Sequence, residues 1–287
     1  MEKIRIVIVD DSPFSITLLR DILEENGYEV VGDAGSLEEV KEVIRDKKPT
    51  LVTMDMTLPG TDGLECTRAI HEIDPNIKVI VVSSMMDEEI VKEAKENRVS
   101  EYIQKPVDPD ELITAINRIM ASEELYHLLE TESFPVFKES LLDGVNRMTK
   151  TLLNYKEEYS TNTEHESKGL TVIIGIIGKF SGRMLIDLSK ETAENIAAAL
   201  LRRTPKNNDE MVAAIAEFTN IISGNACSIL NRKDKAYGLR VSPPSILYGD
   251  SVHISAPNFK TTTAIAETNF GEILINVGFT RGEEKWM

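Results

Sequence analysis

Short apolar runs alternate with longer amphipathic ones over the first 120 residues, and this rhythm constrains the fold more than any other feature of the chain. The apolar runs fall at 4–9, 30–31, 51–54, 79–82 and 102–103, and segments of helical period follow at 13–26, 37–45, 64–72, 88–96 and 108–120. Parallel strands need a crossover between them and a helix supplies it, so five strands separated by helices predict a doubly wound parallel sheet, the flavodoxin-like α/β arrangement. Helix punctuation agrees: Asp11 or Ser12 caps a helix opened by Pro13, and Gly27 closes it.

A chain of 287 residues exceeds what one core usually serves, so two domains are expected. Residues 121–135 are acidic and end in a proline, which sets the expected bounds at 1–121 for the first domain, 122–134 for a connector and 135–284 for the second. The second half changes style. An amphipathic stretch at 136–153 precedes a polar loop at 155–169. A hairpin at 170–177 and 182–188 is split by GKFSG, helices follow at 190–201 and 209–230, and strands close the chain near 252–255, 261–268 and 272–278. This is an α+β pattern.

The net charge of −16 disfavours a nucleic-acid partner, whose phosphates demand a basic patch, and the second half shows neither such a patch nor a helix-turn-helix pattern. The first 120 residues hold 14 Lys and Arg against 26 Asp and Glu, a balance of −12 that leaves −4 for the remainder (18 against 22). No apolar run is long enough to span a bilayer and the N-terminus lacks a signal-peptide pattern, so a cytoplasmic protein with no membrane partner is expected. Cys66 and Cys227, far apart, read as reduced thiols rather than a disulfide or zinc site.

In a doubly wound sheet, chemistry gathers at the carboxyl ends of the strands. Here those ends carry Asp10 and Asp11, Asp55, Ser83, and Lys105 before Pro106. Each has an ordinary reading alone, as a cap, a turn residue or a surface lysine. Together they suit phosphoryl chemistry. Converging carboxylates repel unless a hard cation such as Mg²⁺ neutralises them, and a carboxylate is itself a nucleophile in aspartyl-phosphate chemistry. Lys105 and the Ser83 hydroxyl would hold phosphoryl oxygens.

With TMDMTLPGTDG around Asp55, the acidic pair, Ser83 and Lys105-Pro106, residues 1–121 resemble the receiver domain of response regulators. The resemblance implies that Asp55 accepts a phosphoryl group from a sensor histidine kinase. It also implies Mg²⁺ bound by Asp11, Asp55 and the main-chain carbonyl of Thr57, with Asp10 acting through water. On phosphorylation Ser83 would move toward the phosphoryl group and Tyr102 would turn inward; Thr57 and Met85 would line the acceptor.

In the second half, helix 209–230 stacks Met211, Ile215, Phe218, Ile222 and Ile229 on one face. On the other, Ala213, Glu217, Asn220 and Gly224 recur at i, i+4, i+7 and i+11, bordered by Ala216, Ser223 and Cys227. An acid and an amide amid small residues either form a plain polar face or orient water for hydrolysis. Residues 133–280 resemble the CheX and CheC type of chemotaxis phosphatase, through Glu217, Asn220, the downstream Pro243, NIISGNA and GKFSGRMLIDLS. The resemblance implies that Asn220 enters the acceptor site of a phosphorylated CheY-like receiver and orients the attacking water, while Glu217 pairs with that receiver's active-site lysine. One copy of the motif favours CheX. The family's motif opens with Asp or Ser where this chain has Ala213, which favours the alternative of a binding or dimerisation module that does not hydrolyse. A helical connector of 13 residues would reach only about 20 Å, so hydrolysis is expected in trans, on a separate receiver or on the partner chain of a homodimer.

Overall fold

The computed structural model describes residues 4–85, 88–161 and 164–281; the outermost residues of the two expected domains, 1–3 and 282–284, lie outside the described residues. The chain divides into two compact units between Glu123 and Glu124.

The first unit runs β1 (Arg5–Val9), α1 (Pro13–Glu25), β2 (Glu29–Ala34), α2 (Leu37–Lys47), β3 (Leu51–Met54), a small ladder of β4 (Thr57–Leu58) and β5 (Thr61–Asp62), α3 (Gly63–Ile73), β6 (Lys78–Ser83), α4 (Glu88–Glu96) and β7 (Glu101–Gln104). The main sheet is all parallel, in the order β2-β1-β3-β6-β7. It is buried on both faces: Val7, Val9, Val79 and Val81 join one core, and Ile6, Ile8, Ile80 and Val82 the other. Burial on both sides explains why these strands are continuous apolar runs instead of alternating ones. Ser12 caps α1 by accepting the Ser15 N–H, with Pro13 opening the helix.

His71 on α3 sets a pH limit on this unit. Burial pushes its imidazole below the ordinary histidine value, outweighing a contact at 3.2 Å to the Ile77 carbonyl. The unfolded chain then binds the proton more readily than the folded one. Stability is full above the unfolded value of about 6.5 and falls as pH drops through the lowered folded value. Denaturant midpoints should decline from pH 7 to pH 5, and His71→Asn should flatten that decline relative to the parent.

α5 (Pro109–Thr149) differs from expectation. The segment 122–134 is helical as expected, but Pro135 does not end it: one helix joins the stretches expected at 108–120 and 136–153. A proline inside a helix costs about 3 kcal/mol, whereas each fully buried Leu or Phe contributes about 1.5–3 kcal/mol. Leu125, Leu129, Phe134, Phe137 and Leu141 are all buried in one core, so packing outweighs the proline.

The second unit adds β8 (Leu153–Thr161), β9 (His165–Ile177), β10 (Ser181–Ser189), α6 (Lys190–Leu201), α7 (Asn208–Lys233), a 3₁₀ turn (Lys235–Tyr237), β11 (Arg240–Val241), β12 (Ser245–Ile254), β13 (Thr261–Thr268) and β14 (Gly271–Thr280). An antiparallel sheet runs β11-β9-β10-β14-β13-β8, with β12 also paired to β9. The later part of α5, α6 and α7 pack on one face, over Leu170, Val172, Ile174, Met184 and Ile186. The polar loop expected at 155–169 is instead mostly strand. β8 pairs with β13 along one side only and keeps Asn154, Lys156 and Glu157 exposed, as an edge strand does. β12 likewise begins at Ser245, earlier than the sequence pattern suggested.

Candidate functional sites in the two units

In the first unit, the carboxyl ends of four parallel strands bring five side chains together. β1 ends at Val9 and hands on Asp10 and Asp11, β3 hands on Asp55, β6 ends in Ser83, and β7 hands on Lys105. Lys105 Nζ donates to Asp10 Oδ2 at 2.8 Å and to Asp55 Oδ2 at 2.7 Å. Burial alone would lower the Lys105 ammonium, but hydrogen bonds and charge from Asp10 and Asp55 outweigh it and hold it above the ordinary lysine value. Asp10 is buried and its Oδ1 accepts the Ser12 N–H at 2.9 Å; Asp55 is half-buried and its Oδ1 accepts the Thr57 N–H at 3.2 Å; Asp11 is exposed.

One oxygen from each of Asp10, Asp11 and Asp55 lies within 4.8 Å of the others. Three carboxylates against one ammonium leave an excess of negative charge on hard oxygen donors, which fits a divalent cation of the Mg²⁺ type. The floor under this cluster is tight. A Cβ on Gly63, the first residue of α3, would stand 2.4 Å from the Asp55 carbonyl oxygen, so only glycine lets the helix start against the acceptor loop.

Ser83 is buried, and its Oγ accepts the Met85 N–H at 3.2 Å. Tyr102 is buried too, its hydroxyl donating to the Met85 carbonyl. Met85 thus ties the two expected switch residues through its main chain, a link that sequence reasoning missed because the Met85 side chain takes no part in it. Thr57 is exposed at the start of β4, its hydroxyl 4.0 Å from Met85 Sδ.

In the second unit, α7 is capped by Asn207, whose side chain accepts the Glu210 N–H at 2.9 Å. Arg203 grips the Glu210 carboxylate at 2.8 and 2.5 Å and holds it down to about 2. The core face of α7 is as expected: Met211, Ile215, Phe218 and Ile222 are buried and Ile229 packs against them. On the opposite face Ala213 and Glu217 are exposed and Asn220 and Gly224 half-buried, while Ala216, Ser223 and Cys227 are buried along its border. Burial pushes the Cys227 thiol up to about 12. Among the described residues, neither the Glu217 carboxylate nor the Asn220 carboxamide has a hydrogen-bond or ion-pair partner, and a Cβ on Gly224 would meet nothing within 4 Å. Pro243 is exposed, in the short turn between β11 and β12.

No helix among the described residues is long and apolar enough to cross a membrane.

Comparison with known proteins follows the division into two units. The model of the response regulator receiver domain matches residues 6–117, and that of the chemotaxis phosphatase CheX matches residues 170–266. The chain is 39% identical over 115 residues to the chemotaxis protein CheY of Thermotoga maritima, a match covering 40% of this chain and 96% of that protein. It is 31% identical over 116 residues to the sporulation initiation phosphotransferase F of Bacillus subtilis, covering 40% and 93%. Among solved structures, a chemotaxis protein CheX from Desulfovibrio desulfuricans is similar at 21% identity and a TM-score of 0.47, covering 52% of this chain and 99% of that one. A chain of a CheX-CheY-BeF3-Mg complex from Borrelia burgdorferi is similar at 29% identity and a TM-score of 0.39, covering 40% and 88%. The chain therefore belongs to the response regulators, with an N-terminal receiver domain followed by a CheX-like domain.

Proposed function

We propose that this response regulator carries a phosphoryl group on Asp55 and that its CheX-like domain hydrolyses the aspartyl phosphate of CheY-like receivers, in chemotaxis or a related phosphorelay. The observation that carries the second half is the pair Glu217 and Asn220 on α7, one turn apart, both without a partner among the described residues and set among residues too small to obstruct an approaching surface.

In the receiver, Asp10, Asp11, Asp55 and the main-chain carbonyl of Thr57 would hold Mg²⁺, which when bound offsets the charge of the phosphoryl oxygens. Asp55 Oδ attacks phosphorus, the bond from phosphorus to the donor histidine breaks, and Lys105 leaves its bridge to Asp55 to pair with a phosphoryl oxygen. Ser83 turns its hydroxyl from the Met85 N–H to another such oxygen.

In hydrolysis, the Asn220 carboxamide accepts a hydrogen bond from water and fixes it in line behind phosphorus. Water oxygen bonds to phosphorus, the bond to the aspartyl oxygen breaks, the carboxylate is restored, and the water proton leaves with inorganic phosphate. Glu217 takes up the ammonium of the target's active-site lysine, which anchors the amide's approach. Ala213 supports a second reading, a CheX-like domain that docks without hydrolysing.

Residues 122–134 are helical, and at 1.5 Å per residue they extend about 20 Å, which supports action on another chain. A phosphorylated Asn220→Ala chain mixed with an Asp55→Asn chain tests this, because one supplies only phosphate and the other only catalysis. Loss of phosphate should run faster in the mixture than in the Asn220→Ala chain alone and should rise with concentration. A wild-type rate independent of concentration, with no rescue in the mixture, would assign hydrolysis to each chain's own receiver. No acceleration by wild type or mixture would favour the docking module.

A further inference from the structure

We propose that the exposed stripe of α1 in the receiver is the surface on which α7 of another copy of this chain docks; this rests on the reading that the CheX-like domain acts on receivers in trans. Two residues that their own units do not need point to it. Phe14, in the first turn of α1, is 78% exposed and Leu18, one turn on, 42% exposed, while Ile16, Leu19, Ile22 and Leu23 carry the contact of α1 with its core. Gly224 stands in the interior of α7, where glycine is less stable than alanine or leucine. Its φ is not positive, and an added Cβ would meet nothing within 4 Å, so the fold itself has no use for the missing side chain.

The reacting groups fix which parts of the two helices meet. In the sheet order β2-β1-β3-β6-β7, Lys105 follows β7 on one side of Asp55, and α1 follows β1 on the other. Asp11, three residues before Phe14, has a carboxylate oxygen within 4.8 Å of one of Asp55. Along α7, Glu217, Asn220 and Gly224 come in the matching linear order, with Gly224 about 6 Å beyond Asn220. When Asn220 stands at a phosphorylated Asp55 and Glu217 at Lys105, Gly224 comes over the first turn of α1 and Phe14 fills the space that it leaves.

Charge continues the match. Phe14, Leu18, Asp21 and Glu25 recur at i, i+4, i+7 and i+11, and all four are exposed. Arg20 is paired with Asp33 and Glu24, whereas Asp21 and Glu25 have no partner among the described residues. On α7 the exposed face runs on from Gly224 through Ser228 to Arg232. Lys233 beside it is paired with Glu132, and Arg232 has no partner among the described residues. Phe14 to Asp21 is about 10 Å of helix and Gly224 to Arg232 about 12 Å, so helices lying side by side and running the same way set Arg232 against Asp21 and Glu25. An apolar centre with a charged edge is how protein interfaces are built, and complementary charge mainly speeds and orients association.

The test uses full-length chains and the two-chain hydrolysis assay. Phe14→Ala is placed in the phosphorylated Asn220→Ala chain, which supplies substrate, and separately in the Asp55→Asn chain, which supplies catalysis. On the substrate chain it should raise KM about tenfold with kcat little changed, since a central aromatic anchor carries much of an interface. On the catalytic chain it should do nothing. Gly224→Leu in the catalytic chain should raise KM by a similar factor while its denaturant midpoint holds or rises. Against the Phe14→Ala substrate the same leucine should raise KM far less, because it then occupies the space that Phe14 vacates. An unchanged KM for the Phe14→Ala substrate, the same rise whichever chain carries the change, or two effects that simply multiply would overturn the proposal. If no pair of chains hydrolyses, the phosphatase reading fails. Docking is then read by titrating a fluorescent phosphorylated Asn220→Ala chain with the Asp55→Asn chain, where weaker binding on adding Phe14→Ala to the labelled chain supports the surface and equal binding overturns it. A drop in solution mass of the unphosphorylated chain on Phe14→Ala, with KM unchanged, would make the stripe a self-association face and would also overturn it.

Discussion

Asp55→Asn will take up no phosphoryl group. Given acetyl phosphate and Mg²⁺, the wild-type chain should gain one phosphoryl adduct by intact mass and this variant none. The three carboxylates of the crevice differ in what they have free. Asp10 is 1% exposed and spends one oxygen on the Ser12 N–H and the other on Lys105. Asp11 is exposed, and Lys105 does not reach it within hydrogen-bonding distance. Asp55 alone is half-open and also shares Lys105, at 2.7 Å, so the charge that arrives with the phosphoryl group meets an ammonium already in place. Asparagine keeps the shape but offers a neutral amide, which is no nucleophile at this strength. An adduct of undiminished size on the variant would move the acceptor elsewhere.

The receiver was legible almost residue by residue because its physics is local and repetitive. Strands buried on both faces write themselves as apolar runs, helices between them as periodic ones, and the strand ends then locate the cluster of Asp10, Asp11, Asp55 and Lys105. Glu88–Glu96 matches the expected helix to the residue, and α1 opens and closes where Pro13 and Gly27 said it should. What the sequence concealed depends on contacts made at long range. Pro135 reads as an ending until Phe134 and Phe137 find a core to enter. Residues 155–161 read as loop because an edge strand is exposed and carries no apolar alternation; only its pairing with Thr261–Thr268 makes it a strand.

The Asn220 face, in contrast, was visible early, since a single helix at its ordinary period places all its members.

Asn220→Ala should lower the rate of receiver dephosphorylation about a hundredfold while leaving thermal and denaturant midpoints nearly unchanged. The size follows from losing one preorganised hydrogen-bonding group at a reacting centre, commonly about 10²–10³ in kcat. The stability half follows from the environment: Asn220 is half-buried, its side chain bonds nothing among the described residues, and helix substitutions of that kind usually fall within about 0.5 kcal/mol. Glu217→Ala should act differently. Glu217 is exposed and lies one turn before Asn220, where the proposed mechanism gives it an anchoring contact with the target lysine rather than a contact with water. Its loss should therefore raise KM more than it lowers kcat, and the rise should shrink at high salt, where an exposed ion pair is already screened. Ala213 provides a third arm. If the residue that stands at the head of the motif limits this chain, Ala213→Asp should raise hydrolysis above the wild-type rate without altering the Asp55 adduct. Steady-state dephosphorylation of a phosphorylated Asn220→Ala chain by each variant, made in the Asp55→Asn background, separates the three effects. Equal rates for the unsubstituted Asp55→Asn chain, Asn220→Ala and Glu217→Ala would remove α7 from the chemistry and leave the CheX-like domain as a docking module.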